Sequence, residues 1–116
     1  MRGWATEHRA DLVPFLAACI EAQRWLMNPA NKERVLEMLT GQSKLAPEVA
    51  AATYEALMTR PGGYEKDAEL DGKGFSNVLK LRAEVEGQWN GRPPGVEKYY
   101  DSSYYQAALQ MAKGEK

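Results

Sequence analysis

Residues 12–27, LVPFLAACIEAQRWLM, place the strongest constraint on the fold of this chain. As a helix, this segment is apolar around most of its circumference, whereas a surface helix normally carries a single apolar stripe. We therefore expect other elements to cover it on several sides and leave one narrow line facing solvent: Ala17, Glu21, Arg24 and Asn28. The other large side chains and the single cysteine are expected to contact that cover: Leu12, Phe15, Leu16, Cys19, Ile20, Trp25, Leu26 and Met27.

The length and composition describe an ordinary globular protein. The chain has 116 residues, of which 44% are hydrophobic and 27% charged, with a formal net charge of -1. This length suits one domain or part of one, so we expect a single helical region over residues 1–116. A near-neutral charge gives no electrostatic basis for binding nucleic acid. No apolar run reaches the roughly 20 residues that span a bilayer.

The first helix is expected to begin near Asp11. Pro14 is compatible with a helix only near its amino end, because proline lacks the backbone N–H that later turns require. Residues 1–9 then form an extended lead-in that lacks the apolar core of a secretory signal. As written, the chain would stay in the cytosol if Met1 is the native start.

Two further helices follow closely. Asn28 followed by proline predicts a cap and a second helix over residues 29–40, with Gly41 as a left-handed stop. Pro47 and the next residue, a glutamate, predict the start of a third helix. The sequence RPGG at residues 60–63 ends it.

The carboxy-terminal half predicts two more helices. Asp71 is expected to cap a fourth, which runs to about residue 86 and ends at Gly87. Residues 88–100 form an irregular crossing, and a fifth helix runs from a cap at Asp101 or the following serine to about residue 112. Residues 113–116 are expected to fray. The apolar face of the fourth helix is predicted to comprise Phe75, Val78, Leu79, Arg82 and Val85, and that of the fifth Tyr105, Ala108 and Leu109.

No segment alternates apolar and polar residues as a strand would. The sequence therefore predicts an all-α chain of about five helices.

The acidic segment DAELDG at residues 67–72 imitates the first half of a calcium-binding EF-hand loop. Such a loop needs a glutamate at its twelfth position, where this chain has Val78. We therefore interpret Asp71 as a helix cap and predict no metal site.

Catalytic groups are scarce. The single histidine, His8, lies in the charged lead-in, and the single cysteine lies on the apolar helix, where it is expected to be a small core residue. One histidine and one cysteine cannot complete a nucleophile–base pair with an orienting group or a closed zinc site. We predict that the chain is not an enzyme and has no cofactor.

A group of aromatic residues near the carboxyl end has two interpretations. The side chains could stack on a ligand or partner, or they could clamp the long crossing against the helices. The second is favoured, because loops without regular structure need large side chains to hold them in place. The group comprises Trp89, Tyr99, Tyr100, Tyr104 and Tyr105.

Five short segments resemble, in the same order, the carboxy-terminal part of one protein family: the solute-binding proteins of ABC importers of the nitrate, sulfonate and taurine type. This family includes relatives that bind thiamine-pyrimidine precursors. In the segment at residues 44–50 the family commonly has an aspartate where this chain has Ala46. The matching segments are residues 2–5 (RGWA), 25–30 (WLMNPA), 44–50 (KLAPEVA), 69–78 (ELD with Gly74, Asn77 and Val78) and 98–105 (KYYD with SYY).

The resemblance implies a larger parent protein. Members of the family have two α/β lobes of the type II periplasmic-binding fold that close on a small solute, and this chain corresponds to their helical tail. The parent would be periplasmic or membrane-anchored outside the cytoplasm and would deliver its solute to a membrane permease. The residues that select the solute would lie upstream, so the ligand-binding residues of this chain are unknown.

A missing lobe would leave the first long helix without part of its cover. We expect the isolated chain to self-associate as a homodimer or by exchange of helices, through an interface that includes Leu12, Phe15, Leu16 and Ile20. Two alternatives remain: an autonomous helical module for protein–protein interaction, and a small-molecule binder built from the tyrosines.

Overall fold

The structure is a computed structural model that describes residues 1–114. Within this range all regular secondary structure is helical, with six α-helices and no β-strand. The helices are α1 (Arg2–Glu7), α2 (Arg9–Met27), α3 (Lys32–Gly41), α4 (Pro47–Met58), α5 (Gly72–Glu86) and α6 (Ser103–Gly114). Short 3₁₀ turns occupy Pro29–Asn31, Lys66–Ala68, Gln88–Gly91 and Val96–Lys98. The all-α prediction and its five long helices are confirmed.

Three of the predicted caps form. The Asn28 side chain accepts a hydrogen bond from the Ala30 backbone N–H at 3.0 Å. Asp71 Oδ1 accepts one from the Gly74 N–H at 2.9 Å, and Asp101 Oδ1 accepts one from the Ser103 N–H at 2.9 Å. Each bond satisfies a backbone donor that the first turn of a helix leaves free.

The end of α5 also follows the prediction. Gly87 adopts the left-handed conformation, with φ of 66°. The predicted stop at Gly41 is wrong, because this residue is the last of α3 and the positive φ falls at Lys44 instead.

The lead-in is helical rather than extended. Arg2–Glu7 forms α1, and the Arg2 guanidinium donates to the backbone oxygens of Glu97 and Lys98 at 3.3 and 2.6 Å. Trp4 stacks on His8 with ring centroids 4.3 Å apart. A six-residue helix is unstable by itself, so these contacts account for its presence.

Two other predicted boundaries differ. The long helix α2 begins at Arg9, which places Pro14 in its second turn. At the carboxyl end, α6 continues through Lys113 and Gly114. The rest of the tail predicted to fray, residues 115–116, lies outside the described residues.

The hydrophobic core lies between α2 and α6. It contains Ala17, Ile20, Ala108 and Ala112, and Ile20, at 1% exposure, is the largest side chain that is fully buried. Tyr105 and Leu109 pack at its edge, as predicted for the last helix. Because most of the core side chains are alanines, the two helices can approach closely, but little apolar volume is buried.

Two smaller packing regions lie outside this core. In the first, α3 packs on α4 and buries Val35, Ala50 and Tyr54. In the second, α5 packs on the turns at Gln88–Gly91 and Val96–Lys98 and buries Leu79 and Ala83.

The molecule is more open than a compact protein of its size. Its radius of gyration is 17.8 Å and its extents are 48 × 37 × 21 Å, whereas a compact chain of this length has a radius of about 13 Å. It exposes 8567 Å², which is roughly 2,200 Å² more than expected for a compact 13.0 kDa protein. The helices of this chain therefore leave much of their own surface uncovered.

Candidate interaction surface

The side of α2 that points away from α6 is apolar and exposed. We call it the outward face and define it by Phe15, Ala18, Cys19, Ala22 and Trp25, all of which are exposed. Phe15 keeps 64% of its surface accessible and Trp25 keeps 41%. The spacing between positions 15, 18, 19 and 22 places those residues on one side of a helix. The outward face is therefore a continuous apolar strip along two turns of α2.

The opposite side of α2 faces the core, and the environments predicted for three residues of this helix are wrong. Ala17, expected on the solvent-facing line, is 4% exposed, and Arg24 on the same line is half-buried. Cys19, expected in the core, is exposed. Glu21 and Asn28, the other two residues of the predicted line, are exposed as expected. The helix is thus oriented about its axis so that Ala17 and Arg24 face inward while Phe15 and Cys19 point outward.

The four residues predicted as an interface occupy three environments. Phe15 lies on the outward face. Leu12 and Leu16 are half-buried and line a cleft beside α1. Ile20 lies in the α2–α6 core and is not on an accessible surface of this structure. Of the four residues, only Phe15 is therefore fully exposed, whereas Leu12 and Leu16 are reached through the cleft and Ile20 is enclosed in the core.

The cleft beside α1 has a volume of about 390 Å³ and mostly apolar walls. Its walls include Trp4, Leu12, Leu16, Tyr99 and Tyr104. The main cations near it are already engaged, because the Arg2 guanidinium binds backbone oxygens and that of Arg9 lies 4.5 Å from the centre of the Tyr104 ring. The cleft thus offers aromatic surface and no free cationic group from those two residues.

A polar latch fixes the loop before α5 to the core helices. Arg24 Nε donates to Asp67 Oδ1 at 2.7 Å, and the Tyr105 hydroxyl donates to the Asp67 backbone oxygen at 3.0 Å. Gln23 Nε2 adds a bond to the Glu65 backbone oxygen at 2.6 Å. Asp67 has a positive φ of 55°, which is unfavourable for aspartate and is held by these contacts.

The latch predicts a pH-dependent contribution to stability. The hydrogen bond from Arg24 lowers the pKa of Asp67 below its usual value. A depressed carboxyl pKa stabilises the folded state above the unfolded pKa of about 3.9, and the contribution is lost as the pH falls through the lower folded value. We expect the urea midpoint of Asp67→Asn to lie below that of the wild type at pH 7, and the difference to shrink below about pH 4.

The matched control for this prediction is Glu37→Gln. Glu37 forms an ion pair with Arg34 at 3.0 Å, but both side chains are about two-thirds exposed. Exposed pairs contribute little to stability. A pH-independent difference between Asp67→Asn and the wild type, or an equal loss in both variants, would contradict the role assigned to the latch.

The carboxy-terminal aromatics act mainly as clamps. Tyr105 fastens the latch loop to α6, and the Trp89 and Tyr99 rings lie 6.2 Å apart within the irregular crossing. Burial raises the pKa of the Tyr100 hydroxyl. Of the five carboxy-terminal aromatic residues, only Tyr99 and Tyr104 line the cleft beside α1, where their rings could stack on a ligand or partner.

The acidic segment is used for structure. Asp67 forms the latch and Asp71 caps α5, as the sequence predicted for Asp71. Among residues 1–114, no three histidine, cysteine or acidic side chains are grouped closely enough to bind a metal ion. None of the helices in that range combines the length and hydrophobicity needed to cross a membrane.

Sequence reasoning did not single out Ala18 and Ala22 as surface residues. Both were part of an apolar segment that was expected to be covered, and alanine at helical spacing is equally compatible with a core and an interface. The signal that could have found them is the excess of apolar residues over what one neighbouring helix can cover.

Comparisons with known proteins give no relative: no protein-family model, no curated protein and no solved structure matches the chain.

Proposed function

We propose that this chain is the carboxy-terminal helical part of the substrate-binding component of an ABC importer, in the class that takes up nitrate, sulfonates, taurine or thiamine precursors. The proposal rests on the five ordered sequence segments and on one structural observation, the uncovered outward face of α2. An α/β lobe of the parent protein packed on that face would supply the cover that the chain lacks.

The exposed area supports a missing cover of considerable size. The excess of roughly 2,200 Å² exceeds the approximately 800 Å² that each partner contributes to a standard protein interface. That excess counts polar and apolar surface together, and an exposed apolar patch within it normally marks an interface. The large exposed side chains occur on more than one helix and include Phe15, Val78, Leu81 and Val85.

Four of the five segments that carry the resemblance fall at helix junctions, and the fifth, residues 2–5, lies within α1. Residues 25–30 contain the end of α2 and the Asn28 cap, and residues 44–50 contain the start of α4. Residues 69–78 contain the Asp71 cap of α5, and residues 98–105 contain the start of α6. At these segments the similarity to the family thus involves the residues that determine where the helices begin and how they connect. If this chain and the family's tail have the same arrangement of helices, similarity is required at those positions.

In this proposal the parent protein binds the solute and this chain alone does not. The parent lies outside the cytoplasm, either periplasmic or membrane-anchored, and passes its solute to a permease. The chain has a supporting role, without catalysis or a cofactor.

Thermal unfolding in the presence of ligands tests the proposal. The isolated chain should show no change in Tm with nitrate, taurine, other sulfonates or a thiamine-pyrimidine precursor. The longer product of the reading frame that contains this chain should gain several degrees with one of them at saturating concentration. Stabilisation of the isolated chain, or an upstream frame that encodes no α/β lobe, would contradict the proposal.

The second candidate is an autonomous helical interaction module. The observation that favours it is the α2–α6 core with its latch, because core and loop are joined by specific bonds within the chain. For this function, the 116-residue chain must unfold cooperatively and reversibly as a monomer. It must also retain an exposed apolar surface for its partner.

A further inference from the structure

We propose that two copies of this chain pair through the outward face of α2, antiparallel about a two-fold axis that passes between Ala18 and Cys19. This goes beyond the proposed function, because it concerns the chain when no lobe covers that face. It is also independent of that function, since an autonomous module could pair in the same way.

The outward face has no charge that would oppose self-pairing. Between Asp11 and Glu21, the only ionisable side chain is Cys19. In a two-fold pair, a charged residue close to the axis lies beside its own copy and is repelled by it. Self-pairing is therefore favoured when the centre of the paired face carries no charge. The central two turns of α2 meet that condition. Asp11, one turn before Phe15 on the same side, lies about 22 Å from its own copy along the helix direction in the antiparallel pair, so the two carboxylates do not meet.

The sizes of the side chains match in an antiparallel arrangement. Phe15 and Ala22 lie at equal distances on either side of the proposed axis, so the two-fold operation places the large ring of one copy over the small Ala22 of the other. Ala18 beside the axis allows close approach of the helices. In a parallel pair the two Phe15 rings would meet each other and hold the helices apart at the alanines.

A standard interface buries about 800 Å² on each partner. The roughly 2,200 Å² that the chain exposes beyond a compact protein is spread over several helices, and the outward face supplies part of it. Phe15 and Trp25 supply aromatic side chains, the residue type enriched among those that dominate binding energy.

Light scattering and sedimentation test the pairing. We expect a monomer–dimer equilibrium for the full chain, with a mass approaching that of the dimer by about 200 µM. Phe15→Glu should weaken association about 100-fold or more, because it places a charge at the centre of an apolar contact. The matched control is Val85→Glu on α5, where the side chain is 74% exposed and lies outside the proposed interface.

Circular dichroism should show that both variants remain helical. A monomer at all concentrations overturns the proposal. Equal effects of Phe15→Glu and Val85→Glu overturn the assignment of the face.

Disulfide cross-linking tests the antiparallel register with Phe15 retained. In the wild type, Cys19 lies beside the axis, within about 2 Å of its own copy along the helix direction. In the double variant Ala18→Cys/Cys19→Ser, the cysteine at position 18 lies equally close to its own copy. Both should cross-link rapidly under mild oxidation. Ala22→Cys/Cys19→Ser places the two sulfur atoms about 10 Å apart along that direction and should not cross-link. Cross-linking at position 22 as fast as at Cys19 would contradict the antiparallel pair.

Discussion

Ile20→Ala is expected to destabilise the chain by about 2–5 kcal/mol, the usual cost of truncating a buried aliphatic side chain. Ile20 is 1% exposed and is the only large side chain among the four buried residues of the α2–α6 core. Its alanine neighbours cannot expand to fill the space. Since small domains have only about 5–15 kcal/mol of net stability, a large fraction should be lost.

Urea denaturation followed by circular dichroism measures this effect. The matched control is Leu81→Ala on α5, where the leucine is 59% exposed and its truncation should change the free energy of unfolding by no more than about 0.5 kcal/mol. A loss below about 1 kcal/mol for Ile20→Ala would contradict a core centred between α2 and α6.

Gly63→Ala is expected to have the second-largest effect, a loss of at least about 1–3 kcal/mol from forced movement of the backbone. A Cβ atom at Gly63 would lie 2.7 Å from the Ala56 backbone oxygen and would also clash with the backbone oxygen of Leu57. The Tyr64 N–H donates to that same Leu57 oxygen at 2.7 Å, so the turn after α4 cannot open without breaking this bond.

The control for this substitution is Gly41→Ala. Gly41 is helical, and a Cβ atom there would meet no neighbouring atom within 4 Å. Alanine there should therefore stabilise the chain by about 0.5–1 kcal/mol, because it reduces the freedom of the unfolded state. Thermal unfolding of both variants should shift Tm in opposite directions. A neutral Gly63→Ala would mean that the turn after α4 is not closed as described.

Local signals predicted the helix boundaries well, because capping depends on residues close together in sequence. Asn28, Asp71 and Asp101 each bind a backbone N–H two or three residues ahead, so their roles can be assigned without knowing the rest of the fold. Gly87 ends α5 for a similarly local reason.

The orientation of α2 could not be predicted from its sequence. Both sides of this helix are apolar, so the periodicity does not show which side faces α6. Ala17 and Ile20 pack inward because α6 presents the alanines at positions 108 and 112 to them. That match depends on contacts across almost ninety residues, and it places Phe15 and Cys19 on the surface.

Two other differences also depend on how the helices pack against the rest of the chain. The first helix, α1, forms because Arg2 reaches the backbone near residue 97, which no local pattern reveals. On α5, the predicted apolar face is only partly covered: Leu79 is buried, whereas Val78 is 50% and Val85 is 74% exposed. The predicted face requires more cover than the turns after α5 provide.

The reactivity of Cys19 gives the most direct test of the claim that the outward face of α2 is an interface in the assembled protein. Cys19 is exposed on that face, so the isolated chain, diluted until it is monomeric, should react with a thiol reagent at the rate of an accessible cysteine. In the longer parent protein that the proposed function requires, we expect the same thiol to react at least about tenfold more slowly, because the lobe packed on that face would exclude the reagent. Equal rates in the two proteins would contradict the account.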